Sequence, residues 1–202
     1  MSAFTYLALG DSYTIGEGVT LAESFPFLLQ AKLERNGIAM SHPQVIAQTG
    51  WTTSQLMEAI EQQDVESTFD LVTLLIGVNN QYRGLPIEEF EKEIVLLVYK
   101  AIAFAGGNRA HVLVLTIPDY GYTPFGFSGQ VHIEKQINAY NKVVKRTTQA
   151  LDIECIDVTE TGRQYSQQVG YLTEDELHPS EKMYQLWVDA IYPKVENLLC
   201  GL

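Results

Sequence analysis

Five short apolar runs punctuate the chain: Phe4 to Leu9, Gln44 to Ala47, Phe69 to Ile76, Ala110 to Ile117 and Ile153 to Val158. They are rich in Val, Ile and Leu, and their apolar character is not confined to alternate positions. A run that is apolar on both faces suits a central strand of a parallel sheet, so each predicts a strand. The segments between them repeat at helical spacing. Phe25, Leu28, Leu29 and Leu33 make one stripe, and Leu56, Ala59 and Ile60 a shorter one. Ile87, Phe90, Ile94, Leu97, Val98 and Ala101 make a third, with Glu88, Glu89 and Glu91 near the positive end of its dipole and Gly106-Gly107 to stop it. Ile133, Ile137, Tyr140, Val144 and Leu151 make a fourth, with Lys142, Lys145 and Arg146 toward its C-terminal end. Met183, Leu186, Trp187, Ala190 and Ile191 begin a last helix, which Pro193 is expected to kink or divide.

Strand and helix alternating in this way predict a doubly wound α/β architecture with a parallel sheet. No linker rich in Pro, Gly or Ser divides the 202 residues and no internal repeat is present, so residues 1–202 read as a single domain. In such sheets ligands bind beyond the C-terminal ends of the strands. The loops that follow the strands are therefore where chemistry is expected.

Composition narrows the field. Thirteen Lys and Arg against 25 Asp and Glu give a net charge of -12, a field that repels phosphate backbones and anionic lipid surfaces. Nucleic acid is accordingly not an expected partner. The apolar stretches around Leu71 to Val78 and Ile94 to Tyr99 fall far short of the roughly 18 residues of a membrane span, so no integral membrane association is expected. The opening Met-Ser-Ala-Phe-Thr-Tyr has no positive n-region, which predicts a cytoplasmic protein. Cys155 and Cys200 are too few for a disulfide framework or a zinc cluster and read as two buried thiols in a reducing compartment.

Four polar loops remain to be explained. Gly10-Asp11-Ser12 follows the first strand and Thr49-Gly50-Trp51 the second. Gly77-Val78-Asn79-Asn80-Gln81-Tyr82-Arg83-Gly84 follows the third, and Asp175-Glu176-Leu177-His178-Pro179-Ser180 precedes the last helix. A serine hydroxyl becomes a nucleophile when a base takes its proton, and a histidine base needs a carboxylate on its other ring nitrogen. Asp175 and His178 are close enough in sequence to pair across one tight turn, with Pro179 suited to the first position of the helix that follows. The backbone N–H groups of Ser12 and Gly50 and the side-chain amide of Asn79 could converge on an oxyanion. Gly50 suits that place because a side chain would obstruct the substrate oxygen.

Gly10-Asp11-Ser12, Gly50, Gly77-Val78-Asn79 and Asp175-Glu176-Leu177-His178 resemble the four ordered blocks of the SGNH, or GDSL, hydrolase family. The resemblance spans residues 10 to 178. It implies a three-layer flavodoxin-like sandwich with a five-stranded parallel sheet of order 2-1-3-4-5, and hydrolysis of esters or thioesters through an acyl-enzyme, without metal or cofactor. By position it implies Ser12 as nucleophile, His178 as base, Asp175 as the acid that orients it, and Ser12, Gly50 and Asn79 around the oxyanion. Many members carry Asp after the Asn of the third block, and here Asn80 stands in its place.

Other features are read more plainly. Asp11 is expected to bond loop N–H groups and fix Ser12 rather than act as an acid. Gly16 and Gly18 lack the third glycine of a dinucleotide fingerprint, since Leu21 occupies it. His42, His111 and His132 have no partner at ligand spacing and read as surface or capping residues. The aromatic stretch 118–129 follows the fourth strand as a loop without secondary structure of its own. Its Tyr120, Tyr122, Phe125 and Phe127, with Tyr82 and Arg83, are candidate substrate contacts, for short to medium acyl groups or, alternatively, acylated sugars. A different class, a non-catalytic flavodoxin-like domain holding a small ligand, would have no need of the Asp175 and His178 pair. An α/β-hydrolase would need Gly-x-Ser-x-Gly, which does not occur here.

Overall fold

The structure, a computed structural model, describes residues 3–63, 65 and 68–201. Met1 and Ser2, which open the N-terminal stretch considered above, lie outside the described residues. Strands β1 (Tyr6–Gly10), β2 (Gln44–Ala47), β3 (Leu71–Leu75), β4 (Val112–Leu115) and β5 (Glu154–Ile156) form one parallel sheet in the order β2-β1-β3-β4-β5. The three inner strands are buried along their whole length, whereas the edge strands β2 and β5 are partly exposed.

Helices α1 (Ser12–Ile15), α2 (Phe25–Arg35), α3 (Thr53–Gln62), α4 (Val78–Tyr82), α5 (Ile87–Phe104), α6 (Gln130–Ala150), α7 (Thr159–Tyr165) and α8 (Glu181–Cys200) complete the chain. They cover the sheet on both sides, with α2 packed along α8 in one layer and α3, α5 and α6 side by side in the other. The expected stripes are largely the buried faces of their helices, as in α5, where Phe90, Ile94, Leu97, Val98 and Ala101 are buried. In α8 the face is instead Met183, Tyr184, Trp187, Val188, Ile191 and Val195, with Leu186 partly buried and Ala190 exposed.

Some local expectations are corrected. Helix α8 runs through Pro193 undivided. The bond that proline removes would have gone to the carbonyl of Asp189, on an exposed turn that water can satisfy, while Trp187, Val188, Ile191 and Val195 continue the buried face. Pro179 is not in α8 at all, because Ser180 is the N-cap and accepts from the Met183 N–H. Residues 120–122 and 127–129 form short 3-10 turns within the aromatic stretch. Neither thiol is fully buried: Cys155 is half-buried on an edge strand, and Cys200, at the end of α8, is exposed. Among the described residues no helix is long and apolar enough to cross a membrane.

The sheet register matters most for function. Gly10 stands opposite Ala47 on one side and Leu75 on the other. The loops after β1, β2 and β3 therefore leave the sheet at one level, around the point where the strand order reverses.

Candidate active site

Each loop has its own device for presenting a polar group. After β1, the buried Asp11 caps α1 by accepting the Tyr13 N–H at 3.1 Å. Ser12 thus becomes the first residue of a one-turn helix, and its N–H has no acceptor within that helix. The Tyr184 hydroxyl of α8 donates to the Tyr13 carbonyl at 3.0 Å and holds the turn from behind. After β2, Gly50 adopts φ +84°, a left-handed conformation that favours glycine. Among protein atoms a side chain there would meet only Arg83 Nη2, at 3.6 Å. The backbone conformation, rather than crowding by the protein, therefore accounts for the glycine. After β3, Gly77 at φ +126° lets the chain turn beneath Phe90 and Ile117, which a Cβ would approach to 2.5 and 2.8 Å. The turn delivers Asn79 on the first turn of α4.

The second and third loops are joined to each other. Asn79 Nδ2 donates to the Trp51 carbonyl at 3.0 Å, which leaves its second amide hydrogen available. Arg83 Nη2 donates to the Gly50 carbonyl at 2.5 Å. Asn80 bonds twice to Thr53, accepting from its N–H at 3.0 Å and donating to its hydroxyl at 2.7 Å. Thr49 of the second loop bonds Glu17 of the first.

The fourth segment orients its histidine with its own residues. Asp175 Oδ1 accepts from Thr173 Oγ1 at 2.6 Å and from the Leu177 and His178 N–H groups, each at 2.9 Å. Asp175 Oδ2 lies 2.6 Å from His178 Nδ1. A carboxylate can only accept, so Nδ1 carries the hydrogen and Nε2 is left as a base. Partial burial pushes the Asp175 carboxyl up. The bonds from Thr173, from the His178 ring and from the two backbone N–H groups outweigh it and hold the carboxyl well below the usual range.

Ser12, Gly50, Asn79 and His178 line one cavity of about 210 Å³, walled otherwise mainly by Tyr13, Val78, Tyr82, Tyr120, Phe125 and Leu177. Ser12 and His178 are not hydrogen-bonded to each other in the structure. Such bonds often tighten only when substrate is present.

The model of the GDSL-like lipase/acylhydrolase family matches residues 8–186, from β1 into α8, and so spans all four segments. The chain belongs to this family. It is thereby a carboxylic ester hydrolase, of a family in which a catalytic triad and an oxyanion hole are standard. No curated protein sequence matches the chain significantly. Among solved structures it is similar to a lipase/acylhydrolase from Enterococcus faecalis, with a TM-score of 0.76 at 20% identity, covering 96% of each chain. It is also similar to the psychrotrophic esterase EstA from Pseudoalteromonas sp., described as inhibited by monoethylphosphonate, with a TM-score of 0.74 at 18% identity over 97% of this chain and 98% of that one. Axe2, an acetylxylan esterase from Geobacillus stearothermophilus, gives 0.74 at 17% identity over 96% and 94%. At these identities the likeness is one of fold.

Within this GDSL-like chain the aromatic candidates divide. Tyr82, Tyr120 and Phe125 line the cavity as a row of rings, with centroids 6.0 and 6.5 Å apart in succession. Tyr122 and Phe127 do not line it: Tyr122 sits under the Arg163 guanidinium and Phe127 points to solvent. Arg83 also stays outside, occupied by Gly50. The stretch is anchored rather than loose, because buried Asp119 takes two bonds from Arg163, at 3.0 and 2.9 Å, and one from the Gly121 N–H at 3.0 Å. The Phe125 N–H reaches the Glu176 carbonyl at 3.3 Å and so ties the stretch to the histidine turn. Gly18, in the first loop, lies against Thr173. His42 and His132 are exposed and His111 is half-buried. Among the described residues no group of three or more His, Cys, Asp or Glu could hold a metal ion.

Sequence reasoning does not single out Thr49, Tyr13, Val78 and Leu177, which complete the cavity, or Thr173, which steadies Asp175. Adjacency to the motif residues is the signal that could find the first four. Nothing in the sequence marks Thr173 except its place two residues before an Asp.

Proposed function

We propose that this chain hydrolyses carboxylic esters or thioesters of short to medium acyl chains through an acyl-enzyme on Ser12. The reading rests on one observation above all: Ser12 and His178 share a cavity with Gly50 and Asn79, and the far side of the His178 ring is bonded to Asp175. His178 Nε2 takes the Ser12 proton as Oγ attacks the acyl carbonyl. The negative oxygen of the tetrahedral intermediate accepts from the Ser12 and Gly50 N–H groups and from the free hydrogen of Asn79 Nδ2. The alcohol or thiol leaves with the proton held on His178. Water then repeats the attack on the acyl-enzyme and releases the carboxylic acid. Asp175 fixes the ring and stabilises the imidazolium.

The size of the cavity supports the acyl range. About 210 Å³ is below the roughly 300–1,000 Å³ of ordinary small-molecule sites, and each buried methylene contributes about 0.8 kcal/mol only until the space is full. The half-exposed rings of Tyr82 and Phe125 favour a second reading, an acetylesterase whose rim stacks on a sugar. A series of p-nitrophenyl esters of graded chain length, run beside acetylated sugars with Ser12→Ala as the inactive control, separates the two. Phe125→Ala should shift the preferred chain length, whereas Phe127→Ala should leave it unchanged. An unchanged profile in both would remove Phe125 from the acyl site.

A further inference from the structure

The residue that departs from the family pattern, Asn80, lies at the start of a directional chain of hydrogen bonds. Asn80 and Thr53 are almost completely buried, with 1% and 0% exposure. Thr53 is the first residue of α3, so its N–H has no acceptor within the helix and needs one from elsewhere. That N–H can only donate, and therefore the Asn80 atom facing it is Oδ1. The other amide atom must be the NH2, which can only donate, so Thr53 Oγ1 accepts from it. The single hydroxyl hydrogen of Thr53 is left for one partner, and it goes to Glu93 Oε2 on α5. Every member has one allowed role, and the chain ends on a carboxylate carried by a long helix packed against β3 and β4.

We propose that Asn80, Thr53 and Glu93 form a one-way hydrogen-bond relay that positions the loops carrying Gly50 and Asn79. On this account Glu93 is the reason that position 80 carries an amide instead of a carboxylate. A carboxylate at position 80 would accept the Thr53 N–H equally well but could not donate to its hydroxyl. The hydroxyl hydrogen would be drawn to that carboxylate, and Glu93 would then face an oxygen with nothing to give it. The two carboxylates would compete for one hydrogen, and the one at the buried position 80 would carry the costlier unpaired charge, since Glu93 is only partly buried. The relay binds the segment just after Gly50 to the residue just after Asn79, so a shift in it moves both proposed oxyanion donors together. All three are positioning residues. None of them lines the cavity.

The inference rests on the oxyanion reading above, and the test keeps the two apart. The variants Asn80→Asp, Glu93→Gln and the double variant are compared with the native protein for kcat and KM on p-nitrophenyl acetate, with thermal unfolding measured alongside. Asn80→Asp should lower kcat by roughly 10- to 100-fold, the scale of a small misplacement of catalytic groups, with KM little changed. Glu93→Gln alone should stay near native, because its amide oxygen still accepts from Thr53. The double variant should recover most of the kcat lost by Asn80→Asp. The new amide at position 93 can then donate to Thr53 Oγ1 while the hydroxyl donates to the new carboxylate at position 80, which reverses the direction of the relay. That rescue is a non-additive coupling, which independent stabilising contacts would not produce.

A double variant no better than Asn80→Asp overturns the relay. If Asn79→Ala loses kcat while Asn80→Asp does not, the relay falls and the oxyanion assignment stands. If Asn79→Ala keeps native kcat, the assignment falls and takes the catalytic role of the relay with it. Should Asn80→Asp fail to fold, Thr53→Val removes the shared hydroxyl and should lower kcat similarly, with Thr53→Ser near native. Native kcat in Thr53→Val would overturn the proposal.

Discussion

The two halves of the proposed active site are built on opposite plans. On the acid–base side the polar bonds that orient His178 come from Thr173, Asp175, Leu177 and His178 itself, within one turn of chain. On the oxyanion side the bonds join residues far apart in sequence: Asn79 to Trp51, Asn80 to Thr53 and Arg83 to Gly50, with separations of 28, 27 and 33 residues. A general base must be correctly oriented about a single ring, which a short turn can do alone. An oxyanion site must hold donors from three loops at mutual distances that no single loop can set. The first task is local and the second is tertiary, and the cross-links follow that division.

Breaking the local half should have the larger effect. Asp175→Asn keeps a hydrogen-bonding group beside Nδ1 but removes the charge and permits the wrong tautomer. It should lower kcat by roughly 10,000-fold with the fold intact, as measured by steady-state kinetics beside circular dichroism. A fall below roughly tenfold would mean that Thr173 and the turn backbone orient the ring without the carboxylate. Breaking one donor of the distributed half should cost less. Asn79→Ala should lower kcat by roughly 100- to 1,000-fold while KM moves little. If KM rises and kcat holds, Asn79 binds substrate in its ground state and the two halves do not divide the work in this way.

The same division governs what can be read from the sequence. Gly10-Asp11-Ser12 and Asp175 to His178 are contiguous, and their local hydrogen bonding is legible because the partners sit a few residues apart. The five strands and their order are legible too, since apolar runs and helical stripes alternate and the family resemblance supplies the order. The roles of Arg83 and Asn80 are not. As a sequence, Arg83 reads as a candidate substrate contact; in the fold it holds the Gly50 carbonyl, a contact that depends on how α4 meets the second loop. Asn80 reads as a departure from the family's aspartate, and its partners Thr53 and Glu93 lie on helices that sequence spacing cannot bring together. The path of α8 through Pro193 is hidden for a related reason. Whether a proline divides a helix depends on whether the orphaned carbonyl, here that of Asp189, faces water.

A smaller effect is expected at Asp11, which caps the first loop through the Tyr13 N–H. Burial pushes its carboxyl up to about 7, and the nearby backbone N–H groups, that of Tyr13 first, only partly oppose this. A folded acid with a raised pKa binds its proton more tightly than the unfolded chain does. Its contribution to stability is therefore full below the unfolded value of 3.8 and is lost as pH rises through about 7. Asp11→Asn keeps the acceptor for Tyr13 and removes the titration. Thermal unfolding across a pH series should show the Asn variant gaining on the native protein by a few degrees over that window, with a constant difference above it. A difference that does not change with pH would show that Asp11 is not desolvated as its burial implies.

Every step of the proposed reaction depends on Ser12 being the nucleophile. A fluorophosphonate probe, followed by peptide mass spectrometry, tests this without assuming any substrate. The expected result is a single adduct on Ser12 in the native protein, none in Ser12→Ala, and much slower labelling in Asp175→Asn. An adduct on any other residue, or undiminished labelling of Ser12→Ala, would contradict it.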